Sequence, residues 1–439
     1  MARLAERSKT VHDTVHGSLN IEGVFLELLD SAEFQRLHGI HQLGLANLVF
    51  PGANHTRLEH SLGVWHIGTS MARAAGVDAG AGEIAAACLL HDLGHPPFSH
   101  TFEYILHDRL GIDHEETTRR IITGGYDILR EGERLPGRRS VPSILEDAGL
   151  DPERVARYIR AGEAPRPDGA LERFGSGSRA GGDDRTRLGQ ILHGPLDADQ
   201  LDYLLRDSRY TGVAYGVIDL PRLLRTMVLH GGRLVIRKQG LAAVESTLVA
   251  RSLMFSSVYF HKTVRICEMM MARAVERMEG LEDTDLPRLV DSELLALLSS
   301  SGRFQRDIVT RLKYRRLFKK AFTVPVAGLE EGTAGRLARL ADPSQRRTVE
   351  DEIARKAGVE EGYVIVDLPS REVLFSEPRM RQTGVLILDE ERKRLEPLSR
   401  HSPLARALQN RPVPDWAVMV STDARSRSKV AEAARRVLA

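Results

Sequence analysis

One stretch constrains this chain more than any other: Glu83 to Gly94, which reads Glu-Ile-Ala-Ala-Ala-Cys-Leu-Leu-His-Asp-Leu-Gly. Its Ala-rich, apolar part predicts a short helix over Glu83 to Leu90. Gly94 and then Pro96-Pro97 stop that helix. The vicinal pair His91-Asp92 therefore sits at a helix end. Adjacent residues within a helix point in different directions. One ion can take both side chains only where the helix is already unwinding, and Gly94 and the prolines put such an end here.

The chain has sixteen histidines, and many are clustered. His55, His60 and His66 share one segment; His91, His95 and His100 follow, then His107 and His114. Packing does not call for this, because imidazole is polar and needs partners wherever it is buried. Two His and two Asp at separated positions suit a borderline divalent ion. The last ligand has to come from far along the chain, and Leu196 to Asp207 supplies it. Leu201, Leu204 and Leu205 form a core stripe on that helix, while Asp199, Tyr203 and Asp207, each four apart, form a second stripe. A helix that carries a carboxylate, a phenol and a carboxylate along one face lines a polar cavity.

Much of the remainder is ordinary for a soluble globular chain: 42% hydrophobic, 28% charged, net charge +2. No global field argues for nucleic acid or a membrane. The two cysteines, Cys88 and Cys267, exclude a disulfide framework and a Cys-rich zinc site. Met1 to His12 has no apolar signal region, and no uninterrupted apolar run approaches the roughly 20 residues of a membrane span, so the expected address is a reducing cytoplasm. At 439 residues, one large domain plus a smaller one is expected. The first half reads as helix, with Leu58, Leu62, Trp65 and Met71 at helical spacing. Residues 160–187 are rich in Pro, Gly, Arg and Asp and read as a flexible insertion. Helical pattern resumes at Leu196 and from Leu241 to about Met278. After about residue 322, short strands are expected at Tyr363–Val366, Val373–Phe375, Val385–Leu388 and Ala417–Val420, with helices at 344–356, 403–409 and 424–438. The fold class is thus mainly α: a helical core over residues 1–320 and a small α/β domain over 321–439.

His60, His91-Asp92 and Asp199 match the H…HD…D pattern of the HD superfamily. The match extends to Phe50-Pro51-Gly52-Ala53-Asn54-His55-Thr56-Arg57-Leu58-Glu59-His60-Ser61-Leu62-Gly63, to His91 through His100, and to Val258-Tyr259-Phe260-His261-Lys262. These resemble motifs of the HD-domain deoxynucleoside triphosphate triphosphohydrolases, over roughly residues 10–320. The resemblance implies a helical HD core that binds one divalent metal ion (Mn, Fe, Mg, Co, Ni or Zn) through His60, His91, Asp92 and Asp199. It implies a dNTP substrate cleaved to deoxynucleoside and inorganic triphosphate. His95, His100, Glu103 and His114 would surround the α-phosphate, with His114 the candidate general acid. Arg57 and Arg251 would hold phosphate oxygens, and Gln42, Leu43, Tyr203, Asp207 and Tyr259 the deoxyribose. Gln200 stands where the vertebrate member of the family has a lysine, so one phosphate contact is neutral here. The family further implies a homo-oligomer (dimer, tetramer or hexamer) and a nucleotide effector at a subunit interface. Asp30 and Gln35 match the effector motif, and His38 replaces its arginine.

Blander roles stand beside these. His55 and His66 read as structural or supporting residues, Asp197 as a helix cap, and Asp202 as a solvated or ion-paired carboxylate. Six basic residues lie between Arg311 and Lys320, which reads first as a solvated helix face and only second as a polyanion or nucleic-acid contact. Two rival functions keep to the same residues: a phosphodiesterase or nucleotidase on other nucleotides, and a nucleotide or nucleic-acid sensor with weak catalysis. The sequence has no Gly-Tyr-Pro motif of the HD cyclic dinucleotide enzymes.

Overall fold

A computed structural model describes residues 8–78, 80–99, 113–133, 135–160, 187–280, 285–326, 335, 337, 339–368, 384–409 and 416–438. All but the two end residues of the expected insertion (160–187), together with His100, Glu103, His107 and the strand expected at Val373–Phe375, lie outside the described residues.

The chain begins with a hairpin of β1 (Ser8–Asp13) and β2 (Gly17–Glu22), paired antiparallel with Asp13 opposite Gly17. The core helices follow: α1 (Arg57–Ala74), α2 (Ala81–Leu90), α3 (His114–Ile122) and α4 (Ala198–Thr211). Their starts are written in the sequence. The Glu59 carboxylate accepts from the Thr56 N–H at 2.7 Å, half of a capping box at the start of α1. Asp113 caps α3 by accepting from the Glu116 N–H, and Asp197 caps α4 through the Gln200 N–H. Gly212, at φ 73°, ends α4.

The apolar α2 is buried on every side, with Ile84, Ala86, Ala87 and Leu90 all inaccessible. It lies against α1 at small residues. A Cβ at Gly68 of α1 would fall 2.4 Å from Cys88 Sγ, so glycine is what lets the helices approach this closely. Leu62, Ile67 and Met71 of α1 join Ile84, Leu89 and Leu90 in one core. Cys88 and Cys267 are both buried and unpaired.

Helix α5 (Leu241–Met254) continues through a wider π turn at Phe255–Tyr259. The helical segment Lys238–Tyr259 has the length and apolarity of a membrane span, but over half of its apolar window is buried in the protein, and it carries the buried Arg251. Helices α6 (Lys262–Glu276) and α7 (Arg303–Lys313) come next.

The small α/β unit is present, with an added strand the sequence reading missed. The order in its sheet is β5 (Lys319–Pro325), β9 (Trp416–Thr422) and β6 (Val364–Asp367), all antiparallel. Alternation sorts its side chains. Val364, Val366, Val418 and Val420 face α8 (Pro343–Ala357) and α9 (Arg427–Leu438). Ile365 and Met419 point the other way, into the cluster built by α6 and α7. The chain does not separate cleanly at residue 320. Strands β7 (Leu386–Asp389) and β8 (Arg394–Pro397) extend the hairpin of β3 (Met227–His230) and β4 (Arg233–Arg237), in the order β3-β4-β7-β8. Val385, Ile387, Leu398 and Ala405 are part of the first core. Parallel pairing of β7 with β4 joins residues far apart in sequence, which no local pattern announces.

Candidate metal centre

The helix end foreseen at His91 is there. Residue 90 is the last of α2, His91 caps it, and the chain turns through Leu93 and Gly94. That turn is clamped to α3. Gly94 N–H donates to Thr118 Oγ1 at 2.8 Å, and the Thr118 hydroxyl donates to His91 O. A Cβ on Gly94 would meet His114 O at 2.4 Å, so only glycine fits between the turn and α3.

This turn, α1 and α4 bring four side chains together. One ligand atom each from His60, His91 and Asp92 lies within 4.8 Å of the others. His60 Nε2 is 3.0 Å from Asp199 Oδ1 and 3.9 Å from Asp92 Oδ2; His91 Nε2 is 3.3 Å from Asp92 Oδ1. Two imidazoles and one carboxylate converging at such distances, with Asp199 against His60, make a donor set that fits a divalent cation. His60 and Asp92 are almost fully buried, whereas the Asp199 side chain is 35% exposed and leaves the cluster open on one side. An open side is what distinguishes a catalytic metal site from a closed structural one.

The electrostatics give ionised carboxylates and a His60 that must release a proton to take an ion. Burial alone would raise Asp92, but Arg57, His91 and His95 around it hold its carboxyl well below the usual range. Asp199 is likewise held low: burial would raise it, but its bond to His60 and the His60 and His91 rings together override that. Burial lowers His91. For His60, burial is overridden by the Asp199 and Asp202 carboxylates, which push it up to about 10.

The flanking residues take definite places. Arg57 is buried; its Nη1 donates to Asp92 Oδ2 and its Nε to Ser99 Oγ at 2.7 Å. It thus orients a ligand carboxylate, a contact the sequence reading did not foresee. His95 Nε2 lies 3.2 Å from Asp92 Oδ1, and His114 stacks on His95. Arg251 Nη1 donates to Gln200 Oε1 at 3.0 Å. The Gln200 amide nitrogen donates to Asp197 Oδ2, so the neutral residue in the lysine's place anchors an arginine.

The expected polar stripe of α4 is also seen. Asp207 is buried, accepting from Tyr259 Oη at 2.5 Å and paired with His55 Nε2 at 2.8 Å. Tyr203 and Tyr259 meet edge to face, 5.8 Å between centroids, and Leu43 packs in the same cluster. Gln42 is buried with its amide oxygen unpartnered among the described residues. Asp30, Gln35 and His38 lie on the exposed surface, where Lys9 pairs with Asp30 at 3.5 Å and Gln35 donates to Leu29 O. In the basic run, Arg311 is spent on Asp307 and Asp423.

Residues 57–160 match the family model described as HD domain, and residues 218–439 match the one described as HD associated region. The chain belongs to the HD-domain family. Its HD segment holds His60, His91 and Asp92, while Asp199 lies between the two matched segments. An uncharacterized protein of Methanocaldococcus jannaschii is 32% identical over 417 residues, covering 94% of this chain and 78% of the relative. A deoxynucleoside triphosphate triphosphohydrolase of Gallus gallus is 28% identical over 360 residues. That match covers 73% of this chain but only 57% of the chicken protein. A solved structure of a protein from Aquifex aeolicus superposes with a TM-score of 0.70 at 27% identity, covering 97% of this chain and all of that one. An HD-domain phosphohydrolase with a His-His-Asp cluster able to hold a metal is therefore what sequence, fold and comparison agree on.

Proposed function

We propose that this HD-domain protein is a metal-dependent deoxynucleoside triphosphate triphosphohydrolase, releasing deoxynucleoside and inorganic triphosphate. One observation carries the reading. Asp199, Tyr203 and Asp207 line one face of α4, so the metal cluster is continued along the helix by Tyr203, which meets Tyr259 edge to face, and by the Tyr259–Asp207 hydrogen bond. The similarity to the chicken triphosphohydrolase supports it.

In this reading His60, His91, Asp92 and Asp199 hold the ion. A bound divalent ion supplies a nucleophile at neutral pH and Lewis acidity toward a phosphoryl oxygen. The remaining work falls to the protein. Arg57 keeps Asp92 ionised and oriented, and Arg251, braced by Gln200, offers its guanidinium to phosphate oxygens. Asp207, His55 and Tyr259 fix the deoxyribose, and the unpartnered Gln42 amide oxygen accepts from a sugar hydroxyl. Leu43 and Tyr259 close the space beside C2′. His114, with His95 behind it, delivers a proton to the departing nucleoside 5′-oxygen. His100 and Glu103 belong to the same proposed set. The effector surface of Asp30, Gln35 and His38, and a homo-oligomer around it, complete the proposal.

The test is product analysis. Purified protein is incubated with each dNTP, singly and mixed, with Mg, Mn, Fe or Co. Inorganic triphosphate as product supports the reading. Monophosphate release moves the protein to the nucleotidases and phosphodiesterases. Binding without turnover under every metal makes it a sensor.

A further inference from the structure

The edge of His60 turned away from the metal cluster meets a second, fully enclosed set of charges. His60 Nδ1 lies 2.8 Å from Asp202 Oδ2, and the Asp202 side chain is wholly inaccessible. Every acceptor site of this carboxylate is taken. Oδ2 also accepts from Arg206 Nε at 2.7 Å, and Oδ1 from Arg206 Nη2 at 3.0 Å and from His16 Nε2 at 2.6 Å. Arg206 is equally enclosed, and its Nη1 donates to Asp13 Oδ2 at 2.8 Å. The other Asp13 oxygen accepts the backbone N–H groups of Val15 and His16, which shapes the tip of the β1–β2 hairpin. The hairpin is thereby latched to α4 across 186 positions of sequence.

We infer that Asp202, saturated by Arg206 and His16, is the positioning group that presents His60 to the metal. An ionised carboxylate can only accept, so the imidazole hydrogen of His60 must sit on Nδ1. Nε2 is then the nitrogen turned toward His91, Asp92 and Asp199. The hydrogen bond fixes both the tautomer and the ring plane, and the negative charge behind the ring makes it a stronger donor to a cation. The approach depends on Gly63 of α1. A Cβ there would lie 1.8 Å from Asp202 Oδ1 and 2.5 Å from Arg206 Nη2. No other residue at that position lets the carboxylate reach the histidine. His66 closes the far side, its ring 5.2 Å from that of His16.

This inference rests on the metal reading of the site and not on the choice of substrate. Full-length wild type, Asp202→Asn and His16→Phe are compared by titration with Mn²⁺, free ion being followed by electron paramagnetic resonance. The melting temperature of each metal-free protein is recorded alongside. Asp202→Asn is expected to raise the Mn²⁺ dissociation constant about 10- to 100-fold, the usual effect of losing such a partner. A smaller rise is expected for His16→Phe, which keeps Asp202 and decides the matter alone where Asp202→Asn does not fold. Variants that melt earlier yet bind Mn²⁺ within twofold of wild type would make the cluster a structural clasp only and overturn the inference. A wild type that binds no Mn²⁺ or Co²⁺ would instead remove the metal reading beneath it.

Discussion

The imidazole of His114 lies face to face with that of His95, ring centroids 4.0 Å apart and planes inclined by 17°. His95 is in turn 3.2 Å from the proposed ligand Asp92. Burial, with Arg57 and His114 alongside, holds His95 well below the usual imidazole range, so it is neutral at neutral pH. His114 stands at the first position of α3, one ring removed from the metal cluster and outside the ligand set. His114→Ala is therefore expected to keep its metal and to lose about 10²–10⁴-fold in single-turnover rate, the worth of a positioned acid. Metal content and single-turnover kinetics on one preparation check this. An unchanged rate removes His114 from the chemistry, and loss of metal moves it into the ligand set.

Asp199 is the proposed ligand furthest from the others in sequence and the most exposed of the four. Asp199→Ala, like His91→Ala and Asp92→Ala, is expected to lose bound metal and turnover. For Asp199→Ala the fold should survive, since Leu201 and Leu204 on the opposite face of α4 still fill the core. Metal analysis beside a circular dichroism spectrum reads both quantities. Metal content equal to wild type in Asp199→Ala means that the fourth ligand is some other residue.

How much of this was legible beforehand follows from the range of the interactions. The α2 helix and its end at His91 are written in consecutive residues, as are the caps Asp113 and Asp197. The stripe of Asp199, Tyr203 and Asp207 is written in a spacing of four. Asp202 lies in the same helix, yet the sequence suggested only an ion-paired or solvated carboxylate. Its pair with Arg206 lies four residues away, but its bonds to His60 and His16 reach across 142 and 186 positions. Arg57 was read as a phosphate ligand because its motif is known, whereas its bond to Asp92 appears only once α1 and α2 are packed. The π turn that carries Tyr259 has no compositional mark. The departure of β7 and β8 to the β3–β4 hairpin is a choice of partner, and alternation within a strand is silent on that.

Tyr259 and Leu43 share a cluster with Tyr203 and Val258. If they close the space beside C2′, a ribonucleotide meets a steric wall. Desolvating an added hydroxyl gives discrimination of only about 10²-fold, so a larger preference for dGTP over GTP needs that wall. Tyr259→Ala should raise GTP turnover relative to dGTP. Wild type that turns over the two equally would count directly against the pocket.

Glu350 of α8 is buried against α6, bonded to Arg273 and accepting the Val366 N–H at 2.8 Å. Burial raises it from 4.5 to about 7; Arg273 offsets part of this, and the neighbouring Glu276 adds to it. The native state therefore binds a proton that the unfolded chain has lost above pH 4.5. This contribution is complete below pH 4.5 and is lost as pH rises through about 7, to the extent of roughly 3 kcal/mol. The melting temperature should fall between pH 5.5 and 8.5, and Glu350→Gln, which mimics the protonated form, should flatten that slope. Parallel pH profiles for wild type and Glu350→Gln would dispose of the idea.

The last prediction concerns activation by nucleotide. Asp30, Gln35 and His38 are all exposed on the segment that follows the first short helix, Val24–Leu29. Gln35 is tied to Leu29 O, which fixes it close to Asp30, and Lys9 of β1 pairs with Asp30 at 3.5 Å. That pair is largely solvated and so contributes little; an incoming base can displace it at small cost. Asp30 is then free to accept from the N1–H and N2–H₂ of a guanine. His38 stands where the family has an arginine, and imidazole offers neither a permanent charge nor a two-pronged donor. We expect activation to survive with weaker affinity or relaxed base choice. Initial rates on dATP alone, and with dGTP added, are compared for wild type and Asp30→Ala. Stimulation of wild type that Asp30→Ala loses supports an effector at this surface. A dATP rate that dGTP leaves unchanged, with Asp30→Ala behaving like wild type, leaves a constitutive enzyme and makes this surface no more than a subunit contact.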